Sequence, residues 1–577
     1  MKKLLKYMKG YTRECVFSPL FKMLEAFFEL LVPLVVANII DVGIGEEKPK
    51  SYIIYACLIM AGLGAIGLTC TLFAQYFAAK ASVGFVSKIK RALFSHISSL
   101  SYTEIDKLGT ATLITRMTSD ANQVQSGVNL TLRLFMRSPI IVFGAMIMAF
   151  TVSPTPAVVF TITIPLLALV VFGIMCGTIP LYKDVQGKLD GVLSTARENL
   201  TGIRVIRAFG LEGKEKEKFH NKASVLNKAQ LFVGRISAIM NPATFAIVNI
   251  AIAVLIYTGA LEVNNGDLTQ GEVIALYNYM SQILIELVKL ASLIITITKS
   301  LACANRIQGV FEIKSSQEIV ELPEGDKKYS VEFKNAYLKY ASSPEYSLEN
   351  IDFSALPGET IGIIGGTGSG KSSLINMIGR FYDASEGAVY VNGKNVKSYD
   401  MAELRESIGI VPQKAVLFKG TLRENLLWGN NNASDEEILH AIELAQAKDV
   451  LDSKAEGLDF EIEQGGKNLS GGQRQRFTIA RALVGKPKIL ILDDSASALD
   501  YLTDSRLRNA IAGIDYKPTV FIVSQRTSSI QHADKIIVLD DGKIVGMGKH
   551  NELLESCLVY SEIYNSQFKN EDGGEAK

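Results

Sequence analysis

The sequence predicts a two-domain membrane protein, an all-α bundle of six membrane-spanning helices followed by a soluble α/β domain. Three observations point there. Apolar runs long enough to cross a bilayer crowd the first half of the 577 residues and are absent from the second. Two of the stretches between those runs are long, charged and helical in pattern. A glycine-rich loop, Gly365-Gly-Thr-Gly-Ser-Gly-Lys-Ser372, lies in the second half between a short apolar strand and an apolar helix.

The chain is too long for one compact domain. Lys+Arg number 60 and Asp+Glu 59, a net charge of +1, so nothing draws it globally to nucleic acid, which is not an expected partner. The boundaries read as 1–312 for the membrane domain, 313–328 for a polar linker containing Pro323-Glu-Gly-Asp-Lys-Lys, 329–570 for the soluble domain and 571–577 for a disordered tail. The start, Met1-Lys-Lys-Leu-Leu-Lys, is basic but has no small-residue cleavage site after a short apolar core. It reads as an amphipathic lead-in helix. The six cysteines are scattered without metal-ligand spacing and read as small core residues.

The expected spans are 15–40, 52–79, 130–152, 157–180, 236–262 and 272–300, a multi-pass chain whose partner is the lipid bilayer. The links near 44–50, 153–156 and 263–270 are short and polar. The stretches 80–128 and 181–235 are long and rich in Lys and Arg, which places them, both chain ends and the soluble domain on the cytoplasmic side of the cell membrane. At 1.5 Å per residue their helices extend well beyond the bilayer. Two segments within them, Asp106–Met117 and Arg197–Phe209, read as docking elements. Lys22, Glu25 and Glu29 fall inside the first span, and Glu286 and Lys289 inside the last. A charge in hydrocarbon costs at least a few kcal/mol, so such groups face a wet cavity or a partner. Two readings stay open: Glu25 and Glu29 contact cationic cargo, or Lys22 pairs with Glu25 and Glu286 with Lys289.

In the soluble half, Tyr329–Phe333 and Glu359–Ile364 read as strands, the second running into the glycine-rich loop. Backbone N–H groups of such a loop, with the helix N-terminus behind it, hold phosphate oxygens. Lys371 then reaches the β- and γ-phosphates of ATP and Ser372 coordinates Mg²⁺. The strand Ile489–Leu492 ends in Asp493, a second Mg²⁺-linked position. Between them lies Leu469-Ser-Gly-Gly-Gln-Arg-Gln-Arg476, another helix start suited to an anion and about a hundred residues from the first loop.

With these motifs the chain resembles the ATP-binding cassette (ABC) transporters, specifically the exporter half-transporters, from Met1 to about Phe568. The resemblance implies an exporter-type membrane domain fused to an α/β P-loop NTPase nucleotide-binding domain, with ATP and Mg²⁺ as cofactors. It makes Tyr340 the residue that stacks on adenine, and Gly365, Gly366, Thr367, Gly368, Ser369, Gly370, Lys371, Ser372 and Ser373 the phosphate cradle. Gln413 and Asp493 join Ser372 at the metal. Ser470, Gly471, Gly472 and Gln473 form the signature, Ser497–Asp500 the loop between cassettes, and the two docking segments the coupling helices.

Two positions depart from the family pattern. Asp494 stands where a glutamate polarises the attacking water, and Gln525 where a histidine contacts the γ-phosphate. Asp is one methylene shorter, and a misplacement of about 1 Å can cost about 10²-fold in rate. Gln donates a hydrogen bond but does not ionise near neutral pH. With the signature intact, the chain resembles the degenerate-site subunit of bacterial heterodimeric multidrug exporters. The implied partner is a second, complete half-transporter, and the implied cargo a small hydrophobic or amphipathic compound moved by alternating access. Rival readings are an exporter of one defined peptide or lipid, a non-transporting sensor of ATP occupancy, and a soluble ATPase with apolar core helices.

Overall fold

In the computed structural model the chain is described over residues 2–341 and 343–568; the expected tail at 571–577 lies outside the described residues. It divides into two compact units. One comprises Met1–Ser98 with Ala111–Ile313, the other Ser99–Thr110 with Lys314–Lys577.

The first unit carries six helices long and apolar enough to cross a membrane: Thr12–Ile44, Lys50–Ser98, Thr110–Val152, Pro154–Thr201, Glu212–Asn265 and Gln270–Glu312. Ile54, Leu58, Leu68 and Leu72 on the second and Ile162 and Leu169 on the fourth are exposed, a surface suited to lipid rather than water. Cys57 and Cys176 share that exposure, whereas Cys70, Cys303 and Cys557 are buried. Between helices the contacts use small residues, as expected where apolar burial gives no advantage over lipid. Ala74, Ala78 and Ala81 of the second span are fully buried. Ser18 of the first span donates to the carbonyl of Ala74 at 2.9 Å, and Phe21 stacks on Phe73 with ring centroids 5.4 Å apart. The third and sixth spans run antiparallel and pack tightly at Gly127, where a Cβ would lie 2.2 Å from the Ser300 side chain. Two turns from that contact Arg306 grips Asp120 at 2.5 and 3.0 Å.

The helical segment read as a docking element near 106–117 is interrupted. A short helix spans Tyr102–Leu108, Gly109 breaks it at φ +74°, and Thr110 starts the third span. At the other long stretch a short helix covers Ile203–Ala208, with Leu200, Val205 and Phe209 exposed.

The second unit holds three sheets, of six, four and two strands. Its strands are β1 (Val331–Leu338), β2 (Leu348–Ala355), β3 (Thr360–Gly365), β4 (Glu386–Val391), β5 (Lys394–Asn395), β6 (Ile408–Val411), β7 (Gly420–Thr421), β8 (Glu461–Ile462), β9 (Ile489–Asp493), β10 (Thr519–Val523), β11 (Lys535–Asp540) and β12 (Lys543–Gly548). The two-stranded sheet is β7-β8. The central sheet runs β12-β11-β3-β10-β9-β6, all parallel but for β12 at the edge. Both faces are covered, which is why its strands read as unbroken apolar runs. On one side Ile363, Ile491, Phe521 and Ile537 pack on Leu374 and Ile378 of the helix Lys371–Ile378. On the other, Leu490, Leu492 and Val520 pack on Phe477 and Ala480 of the helix Gly471–Val484. The antiparallel sheet β2-β1-β4-β5 joins the first face through Phe353, stacked on Phe333 at 4.7 Å and edge-on to Phe521 at 6.5 Å.

The polar stretch 313–328 lies against this domain. Val320 N–H donates to Lys397 O at 3.0 Å and Gly325 N–H to Gly393 O at 2.8 Å. Arg380, fully buried, donates to Glu318 O at 2.7 Å, Lys397 O at 3.2 Å and Asp383 at 2.8 Å.

The close contact at Gly127 gives a direct check. Gly127→Leu forces a side chain into Ser300 and should cost about 1–3 kcal/mol of stability, the usual penalty of overpacking. Gly173→Leu, where a Cβ meets nothing within 4 Å, should be near neutral. The measurement is the thermal unfolding midpoint of the two purified variants in detergent.

Candidate nucleotide site

Because β3, β9 and β10 are parallel and in register, Ile363 and Asp493 both lie level with Val523, and their carboxyl ends open onto one edge. The glycine-rich loop follows β3 there. Gly368 (φ +88°) and Gly370 (φ +95°) hold left-handed conformations, and a Cβ on Gly370 would lie 2.9 Å from Ser347 O. Gly370 caps the helix Lys371–Ile378 without a side chain, so its first N–H groups point into the cleft with the positive end of the helix dipole. The Lys371 ammonium folds over the loop, donating to Gly365 O at 2.9 Å and Gly366 O at 2.6 Å. Burial pulls its pKa down from the usual lysine value, against the opposing pull of Asp494 and Asp493.

The cleft, of about 460 Å³, is lined by Thr367, Gly368, Gly370, Lys371, Ser372, Ser373, Gln413, Asp493, Asp494, Ser524 and Gln525, with Ser343, Tyr346 and Gly542 at its sides. Ser372 donates to Asp493 at 3.1 and 3.3 Å. Burial holds the Asp493 carboxyl above the usual carboxylate range; the Ser372 hydroxyl opposes that shift and the Asp494 charge adds to it. Gln413 donates to Asp494 at 3.3 Å, the Asp494 N–H donates to Val523 O at 2.9 Å, and the Asp494 backbone sits at φ +46°. No histidine lines the cleft among the described residues.

Other sequence-singled residues fall elsewhere. Gly365 and Gly366 supply the carbonyls under Lys371, and Ser369 is buried beneath the loop. Tyr340 does not line the cleft. Its ring meets Tyr382 edge-on at 4.9 Å and its hydroxyl donates to Ser373 at 2.9 Å, while Tyr346 takes the place on the cleft wall. Ser470, Gly471, Gly472 and Gln473 stand away from this cleft. Ser470 caps the helix Gly471–Val484 in a reciprocal box with Gln473, and Ser470 and Gly471 are exposed. Asp500 caps the helix Tyr501–Ala512.

Sequence reading missed Tyr382. Its hydroxyl donates to Asp106 of the helix Tyr102–Leu108 at 2.5 Å, and Tyr102 packs on Phe381 at 5.0 Å. Contacts therefore run from Asp106 through Tyr382 and Tyr340 to Ser373, next to Ser372. No local pattern marks them, because the partners lie far apart in sequence.

The Ser372 hydroxyl and Asp493 carboxylate are the hard oxygen donors that Mg²⁺ prefers, and such a site needs only one or two protein ligands beside water and phosphate. The residues fit the ion; when bound it would neutralise charge on the nucleotide phosphates.

The charged residues inside the spans are paired. Lys22 bonds Glu25 at 2.5 Å, Arg137 of the third span bonds Glu29 at 2.6 Å and Glu286 at 2.5 Å, and Lys289 bonds Glu286 at 3.0 Å. Both local pairs hold, and Glu29 finds a partner on another helix. Neither Glu25 nor Glu29 is a free carboxylate awaiting a cation.

Comparison with known proteins matches the model of the ABC transporter transmembrane region over residues 15–287 and that of the ABC transporter over residues 348–497. The chain is 34% identical to an uncharacterized ABC transporter ATP-binding protein, YfiB, of Bacillus subtilis (strain 168), over 99% of each chain. It is 28% identical to an ATP-dependent lipid A-core flippase of Photorhabdus laumondii, over 95% of this chain and 94% of that one. Its fold matches the structure of a bacterial Atm1-family ABC exporter with ATP bound, at a TM-score of 0.79 and 22% identity, covering 97% of this chain and 99% of that one.

The raised Asp493 pKa gives a signed expectation. A proton competes with Mg²⁺ at higher pH than at an ordinary carboxylate, so Mg²⁺-dependent ATP binding should weaken on acidification sooner than an ordinary aspartate would allow. Ser372→Ala removes the hydroxyl that lowers that pKa and should move the midpoint of the loss upward, while the titration of ATP itself is common to both proteins. Nucleotide-binding titrations with and without Mg²⁺ check this; an unmoved midpoint contradicts it.

Proposed function

Because this chain belongs to the ABC transporters and is an exporter half-transporter with an ATP-binding domain, we propose that it is the degenerate-site subunit of a heterodimer. The observation that carries the reading is the acidic corner of the cleft. Asp493 is followed by Asp494, held by Gln413, and Gln525 is the neutral residue opposite. The shorter carboxylate of Asp494 positions water for attack less well than a glutamate, and Gln525 takes no proton. ATP binds here but turns over slowly. The exposed start of the helix Gly471–Val484, away from the chain's own cleft, serves the phosphate loop of a complete partner, where most hydrolysis occurs.

In this reading both nucleotide-binding domains and both chain ends lie on the cytoplasmic side of the cell membrane, following the positive-inside bias of the long charged stretches. Two ATP molecules favour the closed pair of domains only by their higher affinity for it, and closure turns the membrane cavity outward. The cargo is a hydrophobic or amphipathic compound of multidrug type. A second reading, export of a lipid, is favoured by the similarity to the lipid A-core flippase.

Asp494→Glu restores the missing methylene and should raise ATPase activity on the order of tenfold when assembled with a complete half-transporter, with Gln525→His adding to the gain. The measurement is ATPase rate and vanadate trapping for the chain alone and in the assembly. Brisk turnover by the chain paired only with itself, unchanged in Asp494→Ala, would overturn the reading.

A further inference from the structure

Around the middle of the first, third and sixth spans the charges do not balance. Lys22, Arg133, Arg137 and Lys289 face Glu25, Glu29 and Glu286, and every one of these except Arg133 stands in an ion pair. Arg133 forms none among the described residues, and its Nε is buried without a hydrogen-bond partner. The Nε of Arg137, a residue only 8% exposed, makes no hydrogen bond but lies 3.8 Å from the Glu25 carboxylate. A buried donor without a partner is costly, and each such case calls for a group that meets it in the working molecule.

Helix geometry places these groups in depth. Glu29 and Arg137 lie 15 residues before Ile44 and Val152, and Glu286 lies 16 after Gln270. At about 1.5 Å per residue, all three sit about 22–24 Å from the near ends of their spans. Arg133 and Lys289 are each 19 residues from those ends, about 28 Å down, near the far boundary of a hydrocarbon core about 30 Å thick. The antiparallel third and sixth spans also set them at similar depth. Asp120 meets Arg306, Gly127 meets Ser300 and Ser138 meets Glu286, so Arg133 falls level with Ala291 and Ser292, within about a turn of Lys289. Lys289 bonds Glu286 with its side chain still 49% exposed.

We propose that Arg133 and Lys289 form a binding site for the anionic head group, phosphate or carboxylate, of an amphiphile entering from the leaflet at the charged ends of the spans. This rests on the amphipathic-cargo reading above and names its charge class. The Arg133 guanidinium offers forked donors that fit either oxyanion, and Lys289 adds a point charge beside it. The apolar tail lies along the exposed aliphatic faces of the spans. Glu29 holds Arg137 in its pair and limits the site's positive charge.

The test is equilibrium binding of radiolabelled dodecyl phosphate and dodecyltrimethylammonium to the full-length exporter assembly in detergent. Dodecyl phosphate should bind about tenfold or more tighter, and Arg133→Gln should remove most of that advantage. Arg133→Lys should retain part of it. Glu29→Gln, which removes one of the three carboxylates around Arg137 and leaves Glu286 and Glu25, should tighten binding, an outcome that misfolding does not mimic. Competition by inorganic phosphate as strong as by the tailed compound would identify a soluble anion as the source, and competition only by tailed compounds a lipid head group. Equal affinity for both probes, wild-type phosphate binding in both Arg133→Gln and Lys289→Gln, or weaker binding in Glu29→Gln would overturn the site. ATP-driven movement of the same probes into vesicles is read separately. Binding without movement keeps the site and removes the amphipathic-cargo reading, whereas movement indifferent to head-group charge removes the site alone.

Discussion

The parallel sheet fixes where the chemistry of the second half lies. Its strands share one direction, so the loop after β3 and the residues after β9 and β10 meet at one edge. The strands behind that edge are buried on both faces, from Ile489 to Leu492 in β9 and at Val520, Phe521 and Val523 in β10. They cannot slide toward a ligand without breaking two packed layers. Asp494 is tied further, by its N–H to Val523 O and by a left-handed backbone. A side chain shortened by one methylene at such a position is not compensated by movement of the chain. That rigidity makes the difference between aspartate and glutamate a matter of geometry rather than of charge.

The spans answer to the opposite rule. Nothing in hydrocarbon solvates a charge, so the lysines, arginines and glutamates of the first, third and sixth spans were bound to find one another or a ligand. Arg137 is the hub, reaching Glu29 on one helix and Glu286 on another. A buried ion pair is weak evidence for stability, since desolvation offsets most of its attraction. Its stronger effect is on register. The pairs Asp120–Arg306 and Arg137–Glu286 allow the third and sixth spans one axial alignment, which smooth apolar helices would not select.

What was legible in the sequence was local. The phosphate loop, the strand ending at Asp493 and the six apolar runs each announce themselves within twenty or thirty residues, and the i,i+3 pairs Lys22–Glu25 and Glu286–Lys289 follow from helical spacing alone. Partners distant in sequence were not legible. Glu29 reads as a free acid until Arg137, 108 residues on, is folded beside it. The sequence reading put Tyr340 beside adenine, and only the folded loop between β1 and β2 brings Tyr346 to the cleft wall. Gly109 looks like one more small residue in a helical stretch, yet its positive φ ends the docking helix at Leu108. Arg380 carries no motif at all, and its full burial is decided by carbonyls of Glu318 and Lys397.

On the proposed reading, a site that binds ATP well and cleaves it slowly still does mechanical work. Closure depends on the difference in nucleotide affinity between open and closed arrangements, and that difference resides in the loop amides, Lys371 and a signature helix, not in Asp494. The signature start at Ser470 is capped, exposed and separate from the chain's own cleft, and in the proposed heterodimer its helix N–H groups face the nucleotide held by the partner. In that proposed arrangement, a weakened water-activating carboxylate on one side removes a reset step while leaving the closing force intact. In a pair of unlike chains the complete site then sets the pace of reopening, and the slow site acts as a tether whose strength is the affinity of ATP rather than the rate of its hydrolysis.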